Sequence, residues 1–165
     1  MIGEGFRVER AIEIAAHPDR VWDALVDEPS AWWGAPYLLL DGPSTIDLPL
    51  RAGEPVVEHL GDASALWGVV TLCAPGRSLA WRGQQGMGSN AVGEVRVDLE
   101  LVPGGTRVRV LHDAVLLWGE GTEELRRAYD DGWADLLARL RALVETGARH
   151  GAAGRNAPVA APSAR

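Results

Sequence analysis

Three side chains in this sequence have the chemistry for proton exchange, and each sits where a strand or helix could aim it inward. His112 follows Thr106, Val108 and Val110 at alternate positions, so the four share one face of a strand. If that face is concave, the imidazole points into an interior space. There it can hydrogen-bond a ligand or exchange a proton near neutral pH. The alternative is a histidine satisfied by a neighbouring strand or helix. Tyr129 and Glu58 are its candidate partners in acid–base work. Glu58 and His59 are adjacent in a strand, so only one of them can face the same space.

The seven tryptophans supply the apolar half of a possible site. Each buries a large area and needs a partner for its indole N–H. Trp67, Trp81 and Trp118 lie on or near central strands. Together with His112, Tyr129 and Trp133 they make a candidate ligand-binding set, because aromatic walls with a few polar groups typify small-molecule pockets. Packing alone would account for the same tryptophans. Arg10 falls on an apolar strand face and completes the set. It could anchor an acidic ligand, pair with a buried carboxylate, or lie at an exposed strand end.

Other chemistries find no support. His17, His59, His112 and Cys73 have no metal-ligand spacing, and no histidine pair stands at a helical i, i+4 step, so neither metal nor cofactor is expected. There is no Gly-x-Ser-x-Gly elbow. Gly83, Gly86 and Gly88 form a glycine-rich stretch without the lysine or following helix of a nucleotide loop. All 16 basic residues are arginine, which excludes Schiff-base chemistry. The net charge of −7 argues against a nucleic-acid partner. Cys73 is the single cysteine, so there is no internal disulfide, and it reads as a small core residue. No apolar run is long enough to span a bilayer, and the N-terminus lacks the pattern of a signal peptide. A cytoplasmic protein without a membrane partner is the expectation.

The elements that must position these residues follow from periodicity. Phe6 to Ala15 alternates as a half-buried strand, with Val8, Ile12 and Ile14 on one face. His17-Pro18 ends it, and Pro18 suits the first position of a helix carrying Val21, Trp22 and Leu25. Pro29 breaks that helix, and Ser30 to Gly34 forms a second short turn or helix. Strands are expected at Thr45–Leu50, Pro55–Leu60, Ala65–Cys73, Ser78–Arg82, Val92–Val102 and Thr106–Val115. Pro103-Gly104-Gly105 makes the clearest hairpin. From Thr122, a plausible cap, the period becomes helical: Leu125, Tyr129, Trp133, Leu136, Leu137, Leu140, Leu143 and Val144 form a stripe, which Gly147 ends. An antiparallel sheet that finishes in one amphipathic helix must bury its apolar face there, which predicts an α+β sandwich. Residues 1–147 form this domain, and 148–165 read as a disordered Ala/Gly/Pro-rich tail.

The opening Ala11-Ile12-Glu13-Ile14-Ala15-Ala16-His17-Pro18-Asp19-Arg20-Val21-Trp22-Asp23-Ala24-Leu25, the strand Gly105–His112 and the helix segment Gly132-Trp133-Ala134-Asp135-Leu136-Leu137 resemble, in that order, the START-like (SRPBCC) superfamily. Within it they resemble homologues of the heat-shock-protein-90 ATPase activator. The resemblance implies a helix-grip fold: a curved antiparallel sheet wrapped around a long C-terminal helix, with a cavity between them. It implies a binding module for a hydrophobic or aromatic small molecule. A polyketide cyclase or dehydrase-like enzyme is the alternative, with His112, Tyr129 and Glu58 as its acid–base candidates. A chaperone-activating interaction module is the third reading. Either a monomer or a homodimer is compatible.

Overall fold

The computed structural model describes residues 3–88 and 90–150. The elements run β1 (Gly5–Ile14), α1 (Pro18–Asp27), α2 (Pro29–Trp32), β2 (Thr45–Asp47), β3 (Pro55–Leu60), β4 (Ala63–Ala74), β5 (Ser78–Gly83), β6 (Ala91–Val102), β7 (Gly105–Leu116) and α3 (Thr122–Thr146). The strands make one seven-stranded antiparallel sheet in the order β1-β7-β6-β5-β4-β3-β2. β1 therefore crosses the fold to pair with the last strand, while β2 to β7 form a meander. The long helix α3 packs across the concave face.

Alternation sets the two faces. On β1, β6 and β7 the inward residues include Val8, Ile14, Val95, Val97, Leu99, Val108 and Val110, all buried. They meet Trp133, Leu136, Leu137, Leu140 and Leu143 of α3, the buried stripe expected from the sequence. The outward residues carry opposite charges across strands: Arg7 with Asp113, Arg109 with Glu9, and Arg82 with Glu94. These charges keep one face of the sheet solvated. The fold is thus α+β, as the sequence pattern implied, and of the helix-grip type that the family resemblance implied.

Local signals explain the ends of elements. His17 caps α1 by accepting from the Asp19 N–H, and Pro18 opens the helix. Gly147 closes α3 with φ +74°, its N–H bonded to the Leu143 carbonyl. Two expectations shift. The strand expected over Thr45–Leu50 stops at Asp47, because Pro49 has no N–H for the ladder. Thr122 is the first residue of α3 rather than its cap; Gly121 takes the cap position, and the Thr122 hydroxyl donates to Glu4. Beyond the helix, Arg149 pairs with Glu28 and the His150 N–H donates to the Ala31 carbonyl. The rest of the expected tail, 151–165, lies outside the described residues. Among the described residues, no helix is long and apolar enough to cross a membrane.

Candidate functional site

A cavity of about 340 Å³ lies between the concave sheet face, α3 and the segment that follows α2. That volume falls within the range of small-molecule sites. Its walls are aromatic. Trp67 of β4 and Trp81 of β5 face Trp33, whose ring stands edge-on to Trp67 at 4.9 Å and stacks with Trp81 at 6.0 Å between centroids. Tyr129 and Trp133 close the helix side, and His112 forms part of the sheet side. Among the described residues, no Arg, Asp or Glu lines the cavity.

Each tryptophan and tyrosine that lines the cavity has a partner within the protein for its polar group. The Trp81 Nε1–H donates to Gln85 Oε1 at 2.8 Å, and Gln85 Nε2 donates back to the Trp81 carbonyl. The Trp33 Nε1–H donates to the Tyr37 carbonyl at 2.9 Å. The Tyr129 hydroxyl donates to the Gln85 carbonyl at 2.6 Å, which ties α3 to the loop after β5. Burial pushes the Tyr129 hydroxyl up to about 12, so it stays protonated. The Tyr37 hydroxyl donates to Asp135, and burial first, then that carboxylate, raises its pKa.

Glu58 faces inward and is fully buried, while His59 faces the other way. Its two carboxylate oxygens accept from the Leu39 and Leu40 N–H groups, the Ser44 hydroxyl and the Trp67 Nε1–H, at 2.6 to 3.0 Å. Four donors on an acceptor-only group account for its burial. Glu58 thus stands behind Trp67 and pins the loop beside the cavity mouth. It does not line the cavity, and its oxygens are already engaged.

His112 is 1% exposed. The Trp133 Nε1–H donates to its Nδ1 at 3.1 Å. The Tyr129 ring stands edge-on to the imidazole, with centroids 4.7 Å apart. Burial lowers the pKa to about 4, with Asp113 acting weakly in the opposite direction, so the ring is neutral at pH 7. The other nitrogen, Nε2, is buried with no hydrogen-bond partner.

Five of the seven sequence-selected ligand residues therefore converge on the cavity: Trp67, Trp81, His112, Tyr129 and Trp133. Two do not. Trp118 is 60% exposed beyond the end of β7, where its carbonyl accepts from Asn90, so its inward placement is corrected. Arg10 holds Asp130 of α3 through two hydrogen bonds of 2.7 Å at the helix–sheet edge, outside the cavity. Trp33, Tyr37 and Gln85 also line the cavity, and the sequence pattern does not single them out. Trp33 and Tyr37 sit in a segment without strand or helix period. Gln85 lies in a glycine-rich loop whose sequence gives no direction to its side chain. Cys73 is part-buried beside the core, and burial raises its thiol pKa. Among the described residues, no three His, Cys, Asp or Glu side chains gather as a metal site.

The arrangement of sheet, helix and cavity can be set against known families. The family model described as Activator of Hsp90 ATPase homolog 1-like protein matches residues 15–145. The chain belongs to this family. Solved structures of similar fold are distant in sequence. The chain matches the solution structure of the Aha1 dimer from Colwellia psychrerythraea at 23% identity, covering 86% of this chain and 98% of that one, with a TM-score of 0.62. It matches a Rhizobium leguminosarum protein at 18% identity, covering 88% and 99%, with a TM-score of 0.62. It matches DynU16, from the dynemicin biosynthetic locus, at 21% identity, covering 90% of this chain and 49% of DynU16, with a TM-score of 0.63. The chain thus spans about half of DynU16. No curated protein matches the domain. These likenesses establish the helix-grip fold.

Proposed function

We propose that the domain binds a hydrophobic or aromatic small molecule in the cavity between the sheet and α3. The observation that carries this reading is the cavity itself: about 340 Å³, walled by tryptophans and free of charged side chains among the described residues. An apolar ligand that fills such a space replaces water on several aromatic faces. Burial of apolar area contributes about 25 cal/mol per Å² before association costs. Titration with the neutral dye N-phenyl-1-naphthylamine tests it. Saturable quenching of tryptophan emission, reversed by Leu136→Trp filling of the cavity, is the expected result. No binding up to the dye's solubility limit would end this reading.

A second reading has one supporting observation. DynU16, a structural relative, comes from a natural-product biosynthetic locus. A cyclase-like or dehydrase-like activity would use the same cavity, with His112 and Tyr129 beside the bound chain. Its weakness lies in the geometry. Nδ1 of His112 already accepts from Trp133, and the Tyr129 proton is directed to Gln85. Neither group is free to act as a base without rearrangement. Turnover of a polyketone substrate that is lost in His112→Phe would favour it. As for assembly, the Colwellia relative is a dimer, and light scattering of this domain distinguishes homodimer from monomer.

A further inference from the structure

The inference deepens the binding reading just given and rests on it. The hydrogen-bond inventory of the cavity leaves one donor over. Trp33, Trp67, Trp81 and Trp133 direct their indole N–H groups to protein acceptors, and the Tyr129 hydroxyl donates to Gln85. His112 differs. Its Nδ1 accepts from the Trp133 N–H and so carries no proton. A neutral imidazole carries one N–H, which must then be on Nε2. That nitrogen is buried and has no partner.

Nε2 is screened from solvent, and on the β6 side it neighbours a residue without a side chain. Gly93 on β6 lies on the same concave face, and a Cβ built there would stand 2.8 Å from the Asp113 carbonyl oxygen and 3.2 Å from Nε2. Any larger residue would crowd the nitrogen. A buried donor without a partner is costly, and native proteins rarely leave one unless a ligand or water completes it.

We infer that the bound molecule is an uncharged aromatic compound carrying a carbonyl-type oxygen, and that this oxygen accepts a hydrogen bond from His112 Nε2–H. The aromatic part lies against Trp33, Trp67 and Trp81. The oxygen faces β7. Trp133 fixes the tautomer, so it is a positioning residue for the donor. A carboxylate ligand is disfavoured, because no arginine among the described residues reaches the cavity to offset its desolvation. The same tautomer makes His112 a hydrogen-bond donor rather than a proton acceptor, so it would polarise a carbonyl rather than remove a proton.

Three probes of one shape test this: 2-acetylnaphthalene, 2-isopropenylnaphthalene and 2-naphthoate. The first two differ only in an oxygen against a methylene. The expected result is that the wild-type domain prefers the acetyl compound over the isopropenyl one by about tenfold, as one buried hydrogen bond would give. Naphthoate should bind most weakly. His112→Phe should remove the acetyl preference while retaining isopropenyl binding. Should that variant fail to fold, ¹⁵N spectra of the wild-type imidazole carry the test. Nε2 should bear the proton, and that proton should move downfield with 2-acetylnaphthalene but not with 2-isopropenylnaphthalene. Equal binding of the two neutral probes, or a proton on Nδ1, would overturn the inference and leave the cavity reading intact. Failure of every probe, together with the neutral dye, would remove both.

Discussion

Trp133 on α3 donates its indole N–H to Nδ1 of His112 on β7 across 3.1 Å, so one hydrogen bond joins the long helix to a central strand at the cavity wall. Both side chains are buried, at 7% and 1% exposure, and water does not compete for the bond. Trp133→Phe leaves Nδ1 without a donor in an apolar setting. The expected cost is roughly 1–3 kcal/mol from the unpaired acceptor, plus a packing loss. Denaturant unfolding measures it. In the same variant, ¹⁵N spectra should show the imidazole proton shared between the two nitrogens. A single Nε2–H form in the variant would mean that something other than Trp133 sets the tautomer.

The burial of His112 makes stability depend on pH. Its folded pKa is about 4, below the ordinary 6.5, so the unfolded chain binds the extra proton more readily between those values. Stability from this group is complete above about pH 7 and falls as pH drops from 6.5 towards 4. The full span amounts to about 3 kcal/mol at 1.36 kcal/mol per pKa unit. Aromatic neighbours Tyr129, Trp133 and Phe6 surround the ring, and Asp113, the one charge that acts on it, opposes the shift only weakly. Unfolding free energies at pH 7.5 and pH 5 should therefore differ by more in wild type than in His112→Phe. Equal slopes in both proteins would assign the acid sensitivity elsewhere.

Glu58 is the buried anchor of the loop beside the cavity. Glu58→Gln keeps the shape but offers one oxygen and one NH₂ to four donors; even with the NH₂ turned to the Ser44 hydroxyl, which can accept, it faces the Leu40 N–H donor to donor. A loss of about 2–4 kcal/mol is expected, within the range for breaking a buried charge-assisted network. Hydrogen exchange provides the local readout. The amides of Leu39 and Leu40, which donate to this carboxylate, should lose protection more than amides of β6 and β7. Uniform loss across the sheet would show global destabilisation without a role in holding the loop.

The fold was legible because its signals are local and repeated. Val95, Val97 and Leu99 alternate over a whole strand, and Trp133 to Leu143 keeps a helical stripe over several turns. Their sum fixes two faces that have to meet. The strand-to-helix turn at His17-Pro18 carried its own chemistry. The site was legible only where it sits on those elements. His112 could be placed on a strand face by counting, and Trp67 and Trp81 on strands without a face. Trp118 could not, because β7 ends at Leu116 and alternation stops with it. Trp33, Tyr37 and Gln85 belong to irregular segments whose path is set by long-range contacts such as Glu58 to Leu39. Alternation gives Arg10 the face of Val8, Ile12 and Ile14, but its partner Asp130 is 120 residues away, and only the packing of α3 brings them together.

The edge pair of Arg10 and Asp130 offers a control on the limits of the site. Each group shifts the other: the Asp130 hydrogen bond raises the Arg10 pKa, and the Arg10 hydrogen bond lowers that of Asp130. The pair is partly exposed and lies outside the cavity. Arg10→Met should leave the affinity for N-phenyl-1-naphthylamine unchanged within twofold. Trp118→Ser should do the same, since that ring stands in solvent.

Gly86→Ala provides the opposite case. Gly86 has φ +78°, and a Cβ there would stand 3.0 Å from the Trp67 ring, so the substitution strains the loop and presses on the cavity wall. Dye affinity should fall about tenfold while the neighbouring Gly88→Ala, also at positive φ but 3.7 Å from its nearest neighbour Asn90, keeps it. The comparison separates strain in the loop, common to both, from intrusion on the aromatic wall, which only the first produces. Equal losses in the two variants would place the dye somewhere other than against Trp67.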